Sequence, residues 1–173
     1  MIDIKTQYAG LTLRNPIIVG SSGLTNKAER NRDFEKAGAG AIVLKSLFEE
    51  QIEMQSEALM QDSDYPEAED YIRGYVKANQ VNDYLELIKK SKELCTIPII
   101  ASINCYKADA WIDFARQIEL AGADALELNA VFMETELTED FESIRDTYVS
   151  IIRKVKEDEL LDALRNELEH WGE

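Results

Sequence analysis

The strongest constraint on the fold is a pattern that the chain uses twice. Ala37 to Ser46 reads Ala-Gly-Ala-Gly-Ala-Ile-Val-Leu-Lys-Ser, and Ala121 to Ala130 reads Ala-Gly-Ala-Asp-Ala-Leu-Glu-Leu-Asn-Ala. In each copy a helix end passes through a Gly turn into a short apolar strand, and the strand stops on a polar residue, Lys45 or Asn129. Helix-to-strand units repeated in this way imply an α/β fold with parallel strands, in which ligands sit at the carboxyl ends of the strands. Lys45 and Asn129 are therefore the first candidate site residues. Taken alone, either reads better as a solvated strand end or a turn residue.

The rest of the chain fits around these units. Ile2 to Lys5 and Leu11 to Arg14 alternate apolar and polar residues about Tyr-Ala-Gly, which predicts an antiparallel hairpin. Ile17-Ile18-Val19 then runs into Gly20-Ser21-Ser22-Gly23. Small residues after a buried strand let backbone approach a ligand, but the Gly spacing matches neither a dinucleotide fingerprint nor a P-loop, and as a lone motif it reads as a tight turn. Asn26 is expected to cap a helix through Ala37 that turns Phe34 and Ala37 inward and ends at Gly38. After the strand Ala41 to Leu44, Glu49 to Gln61 shows no clean period and reads as a loop with helical turns. Asp62 to Pro66 is turn chemistry, and Glu67 to Asn79 is ambiguous around Gly74. So long an excursion between strands is expected to cover a site or a partner surface.

From Val81 the helical pattern is firm, with Tyr84, Leu85, Ile88 and Leu94 on one face. Ile97 to Ile103 is a third strand that ends at Asn104-Cys105. Asp109 is expected to cap a helix carrying Trp111, Phe114, Ala115, Ile118 and Leu120 inward as far as Gly122, and Ala125 to Leu128 is the fourth strand. Beyond an Ala130 to Glu139 loop, a helix is expected from Phe141 through Lys156. Residues 157–173 form a separate acidic tail whose Leu160, Leu161, Leu164, Leu168 and Trp171 make an apolar stripe.

Composition narrows the partners. With 173 residues the chain has the length of one domain, and 34 acidic against 19 basic residues give a net charge of −15. That balance opposes nucleic acid or an anionic membrane as partner. Glu134 to Glu173 alone holds thirteen acidic and five basic residues, so the second half is the more solvated. Cys95 and Cys105 bracket one extended strand, too far apart to bridge, which fits a reduced cytoplasmic chain. The N-terminus lacks a signal-peptide pattern and no apolar run reaches spanning length. No His/Cys cluster supports a metal site, and His170, the sole histidine, reads as inert beside Trp171.

Assembled, the strand ends resemble the first half of the dihydroorotate dehydrogenase family, flavin enzymes built on a (β/α)8 barrel. The resemblance runs from about Ile2 to Lys156 and rests on four ordered motifs. These are the hairpin, the Asn-Pro-Ile-Ile strand into Ser21-Ser22-Gly23, the Lys45-Ser46 pair, and Leu128-Asn129. It implies a partial TIM barrel of about four βα units, with FMN as cofactor and a small molecule as substrate. By the same resemblance Ser21, Ser22 and Gly23 would line the flavin, Lys45 and Ser46 would contact it near its reacting edge, and Asn129 would bond flavin or substrate. Asn104 matches by place rather than by motif. An ammonium or amide held there would stabilise the negative charge that hydride transfer puts on the ring.

The sequence also departs from the family. Phe132 stands where the family has its base, and Glu134 replaces a substrate-binding Asn. Glu134 reads as a solvated loop carboxylate more than as a substitute base, and Cys105, out of place for that role, as a buried small residue. A full barrel takes roughly 250 residues, with the phosphate site usually built after strands seven and eight. An open half barrel would leave sheet edges and an apolar face to cover, so a homodimer, a higher oligomer or a truncated product is expected. Two functions follow: a flavin oxidoreductase of this type, or a non-catalytic half barrel that self-associates as an assembly module.

Overall fold

A computed structural model describes residues 3–61, 69–104 and 108–129, with helical positions at 142, 145, 146, 148–150, 152 and 153. The chain opens with a hairpin of β1 (Thr6–Tyr8) and β2 (Leu11–Leu13), with Thr6 opposite Leu13 and Tyr8 opposite Leu11. Its two-residue turn puts Ala9 at φ 46° and Gly10 at φ 74°, the left-handed pair that matches the twist of a tight hairpin. The first strand therefore starts at Thr6 and not at Ile2 as the alternation suggested, because a two-residue turn draws Tyr8 into the ladder.

The main sheet is wholly parallel. It contains β3 (Ile18–Val19), β4 (Ala41–Val43), β5 (Leu47–Phe48), β6 (Ile99–Asn104) and β7 (Ala125–Leu128). Along β6, Ile100 faces Val43 and Ile103 faces Leu47. One side thus advances four residues while the other advances three, so β4 and β5 are a single strand carrying one extra residue, a bulge across Leu44 to Ser46. Counted so, four strands stand side by side in chain order. A doubly wound sheet would reverse its order at a switch point, whereas a barrel adds each strand beside the last. The order is consistent with a partial TIM-barrel-like fold.

Helices α1 (Ala28–Lys36), α2 (Glu49–Gln61), α3 (Glu69–Leu94) and α4 (Ala108–Leu120) complete the described fold. Three expectations change here. Asn26 does not cap α1: Lys27 occupies the N-cap without a side-chain bond, its carbonyl taking the Asn31 N–H at 3.1 Å. Residues 49–61 are a continuous helix rather than a loop, and Gly74 lies inside the 26-residue α3. The two pack together, α2 burying Ile52 and Ser56 and α3 burying Val76, Val81, Tyr84, Ile88 and Ser91. A narrow buried stripe gives a weak period in sequence, and tertiary packing makes the helix. Leu120 is 81% exposed and not inward, because two residues beyond the buried Ile118 a helix has turned about 200°. Ala37 is likewise exposed, at the C-cap of α1. The expected β6 boundary moves too, from Ile97 to Ile99.

Strand alternation sorts the core into two layers. Ile42, Leu44, Leu47, Ile99, Ala101, Ile103 and Leu126 pack outward with the helices, together with Phe114, Ala115 and Ile118 of α4. Ala41, Val43, Ile100 and Ala125 point inward, where Leu13 of the hairpin covers them. At the amino end the repeated units use one device. Gly38 (φ 110°) and Gly122 (φ 93°) turn out of their helices, and the next-but-one N–H bonds the preceding strand: Gly40 to the Ile17 carbonyl at 2.7 Å, Asp124 to the Ile99 carbonyl at 2.9 Å. The positions described between 142 and 153 are helical, as expected of a helix from Phe141. No described helix is long and apolar enough to cross a membrane. Cys105, the loop from Ala130 to Glu139 and the tail 157–173 lie outside the described residues.

Candidate functional site

Farther along the inner face, toward the carboxyl ends, the side chains change from apolar to polar. Ser102 follows Ile100 by two residues on β6, and Glu127 follows Ala125 by two on β7, so both share the inward face of the core residues before them. The bulge brings Ser46 to the same level. Ser21, in the loop after β3, completes a row that crosses all four strands. Ser102 Oγ donates to Glu127 Oε1 at 2.7 Å, Ser46 and Ser102 hydroxyls lie 2.7 Å apart, and Ser21 and Ser46 hydroxyls 3.0 Å apart. The Ser46 N–H also donates to Ser21 Oγ at 3.0 Å.

A bulge disturbs a ladder, and a helix residue repairs this one. The Tyr84 hydroxyl, reaching in from α3, accepts the Ser102 N–H at 2.8 Å and donates to the Ser102 carbonyl at 3.0 Å. Burial, with the Glu127 charge adding to it, pushes the Tyr84 phenol far above its ordinary value, and the bond it donates to the Ser102 carbonyl needs it protonated in any case. Ser102 is fully buried, while Ser21 and Glu127 at the two ends of the row are exposed.

The residues singled out in sequence divide into groups. Ser21 and Ser46 join the row. Ser22 shapes the loop instead, its carbonyl accepting the Thr25 hydroxyl at 3.0 Å. Gly20 and Gly23 leave that loop open, since a Cβ on either would meet no heavy atom within 4 Å. Lys45, half-buried in the bulge, is not bonded to the row; with Ser46 it lines a cleft of ≈ 470 Å³ walled by Gln51, Gln55 and Asp83. Asn104 ends β6 opposite Phe48, and Asn129, exposed, donates its N–H to the Ile103 carbonyl at 2.9 Å. Phe132, Glu134, Cys105 and His170 fall outside the described residues. Cys95 is a buried free thiol, raised to about 11 by burial and by the neighbouring Glu35 charge.

Sequence reasoning missed Ser102, Glu127 and Tyr84. A signal existed for two of them: within Ala-Leu-Glu-Leu and Ile-Ala-Ser-Ile, the polar residue sits at the inward parity one step past a small or apolar inward residue. Tyr84 read only as core, because nothing local announces a bulge on another strand. Among the described residues no group of His, Cys, Asp and Glu is placed to hold a metal ion, and the row itself consists of three hydroxyls and one carboxylate.

No protein-family model matches the chain. Among curated proteins it is 28% identical over 131 residues to the catalytic subunit of dihydroorotate dehydrogenase B (NAD(+)) of Thermoplasma acidophilum, covering 75% of this chain and 42% of that protein. The counterpart from Thermoplasma volcanium is 29% identical over 136 residues, with the same coverage. A putative dihydroorotate dehydrogenase A (fumarate) of Aeropyrum pernix is 28% identical over 128 residues, 73% of this chain and 40% of that one. The chain spans about two fifths of the length of the curated relatives it matches. The resemblance read from the strand ends thus has a counterpart in whole-sequence similarity: this chain is similar to dihydroorotate dehydrogenases, over a length consistent with their N-terminal half alone.

Proposed function

We propose that the chain carries the part of an FMN site that the first four strands of a dihydroorotate dehydrogenase-type barrel supply. The observation that carries this reading is the polar row at the carboxyl ends of an otherwise apolar sheet, at the end where barrel enzymes keep their ligands. The residues suit one edge of such a group. The open backbone of Gly20 and Gly23 permits close approach, Ser21 and Ser46 offer hydroxyls, Lys45 an ammonium, and Asn104 and Asn129 amides. When bound, FMN accepts a hydride, and the protein's part is to orient it and place charge beside it. The phosphate end is usually held by loops after strands seven and eight, which the four described strands do not supply, so this chain by itself should hold FMN weakly. Reaction on dihydroorotate needs a proton acceptor as well as the flavin, and Phe132 provides none.

Titrating the purified chain with FMN, followed by flavin fluorescence, tests the reading. It predicts saturable binding that weakens about tenfold or more in Ser46→Ala, a loss near 1.4 kcal/mol. Absence of any saturable binding contradicts it, and a chain that purifies yellow with one flavin per molecule contradicts the claim of weak retention.

A second reading, self-association as a half barrel, draws on exposed apolar residues beside the outermost strand: Ile17 is 61% and Leu24 58% exposed, flanking β3. Under it, removing residues after Glu157 changes the oligomeric state seen by light scattering. An unchanged monomer refutes it.

A further inference from the structure

The bonds in the polar row have a direction. Ser102 spends its single hydroxyl hydrogen on Glu127 Oε1, so at the 2.7 Å contact with Ser46 it can only accept. Ser46 must then donate to Ser102, which leaves it only an acceptor toward Ser21, 3.0 Å away. Ser21 in turn donates to Ser46 Oγ while taking the Ser46 N–H on one lone pair. Every hydroxyl hydrogen in the row therefore points toward Glu127, and the exposed Ser21 Oγ keeps a second lone pair beyond the one that takes the Ser46 N–H. Both ends are exposed and the middle, Ser102, is fully buried. Tyr84 takes no part, since both of its bonds are to the backbone of Ser102.

We infer that the row is a proton relay: Ser21 takes a proton from a ligand seated over the strand ends, and Glu127 receives one at the far side. The ligand X–H gives its proton to Ser21 Oγ, the Ser21 hydrogen passes to Ser46, that of Ser46 to Ser102, and that of Ser102 to Glu127. The ligand is left as X⁻ and Glu127 as the neutral acid, with each serine regenerated and no electrons exchanged. The ligand class this suits is a carbon acid, a C–H beside a carbonyl, whose conjugate base an amide or ammonium at the same strand ends would stabilise. The inference rests on the flavin-site reading and deepens it, because it provides an acceptor at a place other than that of Phe132. Ser21 would be the residue in contact with the ligand, and Ser46, Ser102 and Glu127 would act through it.

The test is deuterium incorporation into dihydroorotate in heavy water, read by NMR with the unmodified chain and without any electron acceptor, so that redox turnover is not required. The wild-type chain is expected to catalyse exchange. Glu127→Gln and Ser46→Ala should each lose it about tenfold or more, while thermal melts show both folded, and Glu127→Asp should restore part of it, which a purely structural role for the carboxylate would not require. No exchange above buffer, equal exchange in Glu127→Gln, or no recovery in Glu127→Asp overturns the relay. The parallel FMN titration separates the two ideas. Flavin binding without exchange removes the relay and leaves the flavin site, whereas exchange without flavin binding keeps the relay and removes the flavin reading.

Discussion

The two ends of one sheet are polar in different ways. At the amino end Arg14, Asn15 and Asp124 are each fastened to backbone. Arg14 Nε and Nη2 donate to the Ala39 and Glu35 carbonyls at 2.9 and 2.5 Å, Asn15 bridges the Gly38 carbonyl and the Ile17 N–H at 2.9 Å each, and Asp124 takes the Ile99 N–H at 2.7 Å while pairing with Lys92 at 2.6 Å. At the carboxyl end the row of Ser21, Ser46, Ser102 and Glu127 is joined from side chain to side chain and finishes on exposed groups. Fastening to backbone fixes the strands whatever the solvent holds. A row of hydroxyls fixes little and can be re-partnered by a ligand. The difference matches the way barrels generally divide the work, with stability at one end and binding at the other, and it supports the proposed site.

Substitutions can break or sharpen that division. The largest effect is expected at Gly40, where a Cβ would run into the Asn15 carbonyl and come within 2.9 Å of its Oδ1. Gly40→Val should cost about 3 kcal/mol in denaturant unfolding, against near neutrality for Gly23→Ala, where the Cβ meets open space. Asp124→Ala, which orphans the Ile99 N–H and half-buried Lys92, should cost about 2 kcal/mol without changing FMN affinity under folding conditions. Tyr84→Phe tests the joint between the ends. It strips the Ser102 N–H of its acceptor and should cost about 1.5 kcal/mol and weaken ligand binding as well. Ser46→Ala should lie within about 1 kcal/mol of wild type in stability while losing most of the binding, the reverse of Asp124→Ala.

The smallest effect is a pH dependence at the amino end. Burial works against the Glu35 charge, but the Thr96 hydroxyl and N–H, bonded to it at 2.5 and 3.1 Å, and nearby Arg14 hold its carboxyl below the usual 4.5. A depressed folded value means the contribution is present above the unfolded value and disappears as pH falls through the folded one. Wild type should therefore lose stability more steeply than Glu35→Gln in urea unfolding series below about pH 4.5. Parallel curves for the two proteins would contradict the role of Thr96.

Much of this was legible in the chain and some was not, for physical reasons. The Gly38 and Gly122 turns, the four strands and the Phe114 to Ile118 face of α4 follow from local chemistry: left-handed glycines, short apolar runs and a 3.6-residue stripe. Glu49 to Gln61 misled because, among its described side chains, α2 buries only Ile52 and Ser56, and its helix is settled by packing on α3. At the site, Ser21 and Ser46 could be named from strand ends, but their partnership could not. It depends on the bulge, which is a mismatch between β4–β5 and β6 and is written in neither strand alone. Lys45 shows the other side of this: it could be named from its strand-end position, but the bulge that seats it beside Ser46, at the cleft next to α2, could not be foreseen.

The central claim, that the carboxyl end is the binding end, is tested most directly by FMN titrations of Ser46→Ala and Asp124→Ala side by side, with the stability of each measured in the same buffer. The account predicts that Ser46→Ala stays close to wild type in stability and loses FMN affinity about tenfold or more, while Asp124→Ala loses stability and keeps its affinity. Equal losses of affinity in both proteins, or a Ser46→Ala chain that binds FMN as wild type does, would contradict it.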